Sequence, residues 1–204
     1  MNDPVATPLP NYSNSLRRDS TPVFVFAKAG SLSLDIVTIG IVTILSYEYA
    51  AICEILGCYQ EEVVSGNAGP RVYRLGTVWQ PSGKSGINVA VTQLVIAGIT
   101  DSAVIANNFF HDCPSIREII VCGIAGAVPN PMKAEDHVRL GDIVVSGIEG
   151  VLPYDFGKEV PNGFELRGAA YRPSPSLLQS ARTLQSNEER GLRPWEAYES
   201  EHVV

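Results

Sequence analysis

The sequence predicts an α/β fold with a mixed central sheet flanked by helices. Three observations carry that expectation. The run Ile39-Gly-Ile-Val-Thr-Ile-Leu-Ser-Tyr-Glu48 is apolar, contains one Gly and ends in a small polar turn followed by an acid. A second apolar run, Ile119-Ile-Val-Cys-Gly-Ile-Ala-Gly-Ala127, ends in a Gly-rich turn. Between them lie helical and hairpin patterns, so parallel and antiparallel pairing must share one sheet. Buried strands of this kind carry ligand sites at their carboxyl ends.

Element by element, residues 1 to about 22 read as a disordered leader of Pro, Asn and Ser, and the folded unit is expected to begin near Asp35. The leader is thus 1–34 and the domain 35–204. Asp35 to Leu45, rich in Val, Ile and Thr, reads as a buried strand. Glu48 to Gly57 reads as a helix, with Tyr49, Ala50, Ile52, Cys53, Ile55 and Leu56 as its apolar face and Gly57 as its stop. Arg71 to Trp79 alternates like a half-buried strand. Pro81 to Gly86 is a turn, and Ile87 to Ile96 completes a hairpin. Asp101 is expected to cap a helix that ends before Pro114, with Ala103, Val104, Ala106, Phe109 and Phe110 on its apolar side. Arg117 to Cys122 is a second buried strand. Val138 to Ser146 and Val151 to Phe156 read as a further strand pair, and Pro175 to Gln185 as a short helix.

Composition narrows the function. The chain has 204 residues and a formal net charge of −7, which argues against a broad basic surface for nucleic acid. The longest apolar run, Ile36 to Leu45, falls well short of the ~20 residues a bilayer span needs. No secretory signal pattern is visible. Four cysteines without framework spacing (Cys53, Cys58, Cys113 and Cys122) fit reduced thiols in the cytoplasm.

Several motifs fail on spacing. Gly83-Lys84-Ser85 resembles the end of a phosphate-binding loop, but the leading Gly position is Val78 and a strand follows. His111, Cys113, Cys122 and His137 lack zinc-site spacing, so no metal is expected. There is no Gly-x-Ser-x-Gly elbow and no dinucleotide fingerprint. Two loops remain. Gly98-Ile-Thr-Asp101 joins a strand to a helix, where backbone N–H groups suit an anion or a sugar oxygen. Gly123 to Ala127 lets a flat ligand approach the backbone. Glu48 by itself reads as a carboxylate near a helix start, favoured by the helix dipole.

Together, Ile39 to Glu48, Cys122-Gly-Ile-Ala-Gly-Ala-Val128 and Val138-Arg-Leu-Gly-Asp-Ile-Val-Val-Ser146 resemble the nucleoside phosphorylase and methylthioadenosine/S-adenosylhomocysteine nucleosidase superfamily. Gly150 to Lys158 and Arg193 to Glu196 resemble its branch fused to bacterial and fungal immune-type receptors. The similarity runs from about Ile36 to Tyr198. It implies a nucleoside phosphorylase-like sheet and cleavage of the N-glycosidic bond of a purine nucleoside or nucleotide, with no cofactor. It makes Glu48 the water-activating acid, Ala125 and Gly126 small residues lining the nucleoside pocket, and Ile99 an apolar wall. Gly98 and Thr100 flank that wall.

Phosphorolytic members place Arg in the first loop and before the glycine loop. Here those places read Ser46-Tyr-Glu48 and Val121-Cys122, which favours water over phosphate. Ile124 stands where the nucleosidases have Ser, and the receptor-fused branch often has an apolar residue there. The superfamily also supplies an adenine-contacting strand, a ribose-binding Glu and a base-protonating Asp in its C-terminal third. No counterpart precedes Val204, so the expectation is a C-terminally incomplete domain, completed by further sequence or a second chain. The alternative is a catalytically incomplete module that binds a nucleoside or acts in regulation. A homo-oligomer is expected by analogy.

Overall fold

A computed structural model describes residues 32–66, 69–79, 85–133, 137–151, 157–166 and 171–193. A 3-10 turn, Leu34–Ile36, leads into β1 (Ile39–Thr43) and α1 (Ser46–Ile55). Strands β2 (Gln60–Val64), β3 (Arg71–Trp79) and β4 (Gly86–Gln93) follow, then α2 (Ile99–Asp112) and β5 (Glu118–Val121). A separate hairpin, β6 (Gly157–Val160) and β7 (Gly163–Leu166), precedes α3 (Pro175–Glu189).

The five-stranded sheet has the order β2-β3-β4-β1-β5. β1 lies between β4 and β5 and pairs in parallel with both, whereas β2, β3 and β4 are antiparallel neighbours. The mixed α/β sheet flanked by helices is therefore as the sequence predicts. Side chains alternate across the pleat. Val42, Ala90, Leu75 and Tyr73 face one side and pack with Phe109, Cys113, Ile105 and Ile116 from α2 and the turn after it. Ile41, Val89 and Val91 face the other side and pack with Tyr49, Ile52 and Cys53 of α1 and with Leu56 just past its end. Each fully buried aliphatic or aromatic side chain contributes about 1.5–3 kcal/mol of transfer free energy.

The Gly inside β1 has a packing reason. A Cβ on Gly40 would lie 2.9 Å from Ile116 Cδ1 and 3.1 Å from the Phe109 ring. Phe109 in turn packs against Tyr73 in a tilted pair, with ring centroids 5.2 Å apart and an interplanar angle of 50°. The far end of α2 is held by Asp112, which accepts from Arg71 Nε at 2.6 Å, Arg71 Nη2 at 2.8 Å and the Tyr73 hydroxyl at 2.8 Å.

Several boundaries differ from expectation. Residues 1–31 of the leader lie outside the described residues, while Leu32 and Leu34 already pack against the core. The Leu32 backbone exchanges two hydrogen bonds with the Gln60 side chain, at 2.8 and 2.6 Å. Helix α1 ends as predicted, with Gly57 at φ 61° just past it. Ala50 and Ile55 lie outside its packed face, and α2 buries Ile105 and Phe109 rather than Val104 and Phe110. The i, i+4 spacing of Ile105 and Phe109 defines the stripe that meets the sheet. β2 carries two adjacent glutamates, a poor strand signal, and is secured by its register with β3 and by a Glu61–Arg74 ion pair of 2.6 Å.

The strand expected over Val138–Ser146 does not form. Arg139 to Asp142 make a turn closed by the Asp142 N–H on the Arg139 carbonyl at 3.2 Å, with Gly141 at φ 91°. The Asp142 carboxylate accepts from the Arg139 N–H at 2.8 Å and reinforces it. A Gly adopting positive φ inside an apolar run converts the strand into a turn. Ile143, Val144 and Val145 then run exposed. The expected partner strand lies largely outside the described residues. Val151 makes a lone bridge with Tyr171. The hairpin in this region is β6–β7 instead. It turns at Pro161-Asn162-Gly163, where Gly163 has φ 132°.

Among the described residues no helix is long and apolar enough to cross a membrane.

Candidate functional site

Three parallel strands end on the same edge of the sheet. Thr43 of β1 is in register with Gln93 of β4, and Val42 with Val121 of β5. The loops that leave them therefore emerge side by side. They lead to the start of α1, to the start of α2 and into the 122–130 segment.

Glu48 is the third residue of α1 and is buried to 7% exposure. Its side chain folds back over the helix start. Oε2 accepts from the Leu45 N–H at 2.8 Å and the Ile44 N–H at 3.1 Å. Oε1 accepts from the Ile124 N–H at 2.7 Å. One carboxylate thus joins the loop after β1 to the loop after β5. The backbone bond from Leu45 and then that from Ile124 hold its pKa below the ordinary glutamate value against the opposing effect of burial, with Ile44 adding to the depression. Glu48 is ionised at neutral pH and is a weak base.

The close approach expected in the glycine loop falls at Gly123. A Cβ there would lie 2.9 Å from Glu48 Oε1 and 3.1 Å from Oε2. Gly126 has nothing within 4 Å of its own Cβ position, and Ile124, Ala125 and Gly126 are all exposed. The loop therefore presents its backbone to Glu48 at one end and to solvent at the other.

The second predicted loop flanks β1 on the β4 side. Helix α2 begins at Ile99 with Gly98 as its N-cap, three residues before the cap expected at Asp101. Asp101 is thus a first-turn residue rather than the cap. Ser102 supplies local closure, its hydroxyl donating to the Gly98 carbonyl at 2.8 Å. Gly98, Ile99 and Thr100 are exposed on this rim.

Two supporting residues, Gln93 and Thr43, were not singled out from sequence. Gln93 Nε2 donates to the Ile44 carbonyl at 3.0 Å and ties the β4 end to the Glu48 loop. Thr43, the last residue of β1, is wholly buried, and its hydroxyl has no hydrogen-bond partner among the described residues. Cys122 lies directly before Gly123; burial raises its thiol pKa, and the Glu48 charge adds to the rise. A residue pair that exchanges a contact 76 positions apart leaves no local pattern, so only the position of Gly123 right after a strand hinted at it.

Comparison with protein-family models, curated proteins and solved structures finds no match to the chain. Among the described residues no group of three or more His, Cys, Asp or Glu is arranged to hold a metal ion.

Proposed function

We propose that the carboxyl edge of this sheet binds a purine nucleoside or nucleotide and that its N-glycosidic bond is cleaved by water. The observation that carries this reading is the Glu48 Oε1–Ile124 N–H bond of 2.7 Å, which brings the acid to the glycine loop. In such a cleavage the bond from ribose C1 to the base nitrogen breaks with its electron pair leaving on the base. Water adds at C1, and the base takes up a proton. Positive charge builds on the sugar in between. A carboxylate fixed as an anion suits that charge, because it needs no reorganisation when the charge develops. Each carboxylate oxygen offers about two lone pairs. Three of the four sites meet backbone N–H groups, and the remaining one on Oε1 is the site for a water or a sugar hydroxyl.

The same reading takes the architecture as nucleoside phosphorylase-like. It places the exposed Gly98–Thr100 backbone toward the sugar or its phosphate, and Ala125 and Gly126 beneath the base. Its ligand is a small molecule rather than nucleic acid or a membrane, in keeping with the net charge of −7. No cofactor takes part. The four free thiols suit a reducing, cytoplasmic setting, and a homo-oligomer follows by analogy.

A second reading is a module that binds the nucleoside without turning it over. The three backbone bonds on Glu48 favour it, since they consume basicity that water activation uses. The purified chain is assayed for free base from adenosine, inosine, AMP and ATP, with calorimetry on the same ligands. Release of base, abolished in Glu48→Gln, supports cleavage. Saturable binding with no base released supports the module. Absence of both binding and release overturns the nucleoside assignment.

A further inference from the structure

The opposite, amino edge of the sheet carries a second device. Helix α3 buries none of its residues. It meets the sheet through a knot of side chains at its first turn. The Ser174 hydroxyl donates to Glu118 Oε1 at 3.1 Å, and the Ser176 hydroxyl donates to the same oxygen. The two serine hydroxyls also touch each other at 2.7 Å. Glu118 is the first residue of β5. A cleft of about 330 Å³ lies between Thr38, Ile39, Arg117 and Glu118 on the sheet side and Leu177 and Ser180 on α3. Leu177 and Leu178 are only half-buried, and the serine–carboxylate knot is the polar tie that holds the first turn of the helix on the sheet.

Ser174 has the chemistry and conformation of a kinase acceptor. It lies between two prolines, in Arg172-Pro173-Ser174-Pro175. Pro disfavours the helical conformation in the residue before it, and Ser174 is accordingly extended, at φ −58° and ψ 133°. Pro175 takes the first helical position, where its missing N–H does no harm. The acceptor is therefore presented on an extended stretch with Pro immediately after it. Ser176, already inside the helix, is not.

We propose that Ser174 is a phosphorylation site whose modification releases α3 from the sheet. The serine Oγ attacks the γ-phosphorus of ATP, held by a serine kinase that selects Pro after its acceptor. The Oγ–P bond forms, the bond to ADP breaks, and the hydroxyl proton passes to the kinase base. The phosphoserine carries about −1.5 to −2 charge at neutral pH. It replaces a hydroxyl donor 3.1 Å from the Glu118 carboxylate with an anion at the same place. A donor–acceptor contact becomes a like-charge contact. The phosphate is favoured at the helix N-terminus by the dipole, so Glu118 is the partner that is lost. The freed α3, 15 residues long, is then at the length where an isolated helix is marginal in water.

The full chain is treated with ATP and a proline-directed serine kinase and mapped by mass spectrometry. One phosphoryl group on Ser174, absent in Ser174→Ala and kept in Ser176→Ala, is expected. Trypsin cleavage after Arg182 and amide exchange over 178–189 should then rise about tenfold or more, as the helix frays once undocked. In Glu118→Gln the acceptor remains but the charge is gone, so phosphorylation should leave both rates nearly unchanged. Labelling that spares Ser174, labelling that leaves α3 protected, or an equal acceleration in Glu118→Gln would each overturn the proposal.

Discussion

Gly40→Ala tests whether the helix that carries half of the rim is set by one missing side chain. The new Cβ would meet Ile116 Cδ1 at 2.9 Å and two Phe109 ring carbons at 3.1 Å, inside the ~3.5–4.0 Å of an unstrained carbon–carbon contact. The Ile116 methyl is the end of a flexible chain and can rotate. The Phe109 ring is fully buried against Tyr73 and cannot turn aside without moving α2. Overpacking of this kind costs about 1–3 kcal/mol. Removing a Gly from a strand interior returns about 0.5–1 kcal/mol. The expected net loss is therefore about 0–2.5 kcal/mol, at ~2–4 °C in thermal midpoint per kcal/mol for a domain of this size. Urea unfolding should show a lower midpoint with an unchanged slope.

A double-mutant cycle isolates the cause. Phe109→Leu shortens the ring side and relieves the contact, so it should hurt the Gly40→Ala chain less than the parent, with a coupling of about 1 kcal/mol. An Ala at 40 that is stabilising, or strict additivity in the cycle, would refute the packing argument. Because α2 starts at Ile99, a forced tilt also moves Gly98–Thr100 relative to Glu48. Nucleoside affinity should fall in the single mutant and recover partly in the double.

Gly123→Ala should weaken nucleoside binding about tenfold while leaving the unfolding slope unchanged, because the methyl would sit 2.9 Å from Glu48 Oε1 and displace it from the Ile124 N–H; calorimetry checks it, and unchanged affinity would remove Glu48 from the site. Burial alone would raise the Asp112 pKa, but hydrogen bonds from Arg71, His111 and Tyr73 outweigh it and bring the group down to about 2. Its stabilisation is therefore complete above the unfolded value of about 3.9 and is lost as pH falls toward about 2. Urea midpoints across that window should drop in the parent and stay flatter in Asp112→Asn. Burial pushes the Cys58 and Cys113 thiols up to about 12, so a thiolate-selective reagent at mildly alkaline pH should spare both in the folded chain and label all four cysteines in denaturant. Rapid labelling of either under native conditions would contradict their burial.

Local pattern was enough to place β1, β3, β4, β5, α1 and α2, because each has either a buried apolar run or an amphipathic stripe that solvent exclusion forces inward. The stop at Gly57 was legible for the same local reason, and the pairing of β3 with β4 from the alternation of the two runs; the turn expected over Pro81–Gly86 lies largely outside the described residues. The sequence also marked Glu48 and the glycine loop as separate features. What it could not decide was which side of each helix would bury, since Val104, Ile105, Phe109 and Phe110 are all apolar and only the sheet selects the Ile105–Phe109 stripe.

Nor could it show that Val138–Ser146 would turn at Gly141, because a run of β-branched residues becomes a strand only if a neighbour supplies its hydrogen bonds. The site followed the same division. That an acid follows a strand is a fact of sequence. That its carboxylate accepts from the Ile44 and Leu45 N–H groups is a local matter of the helix start. That Oε1 also reaches the Ile124 N–H is a fact of parallel register between β1 and β5, which brings a distant backbone group within hydrogen-bond range and leaves no trace in spacing along the chain.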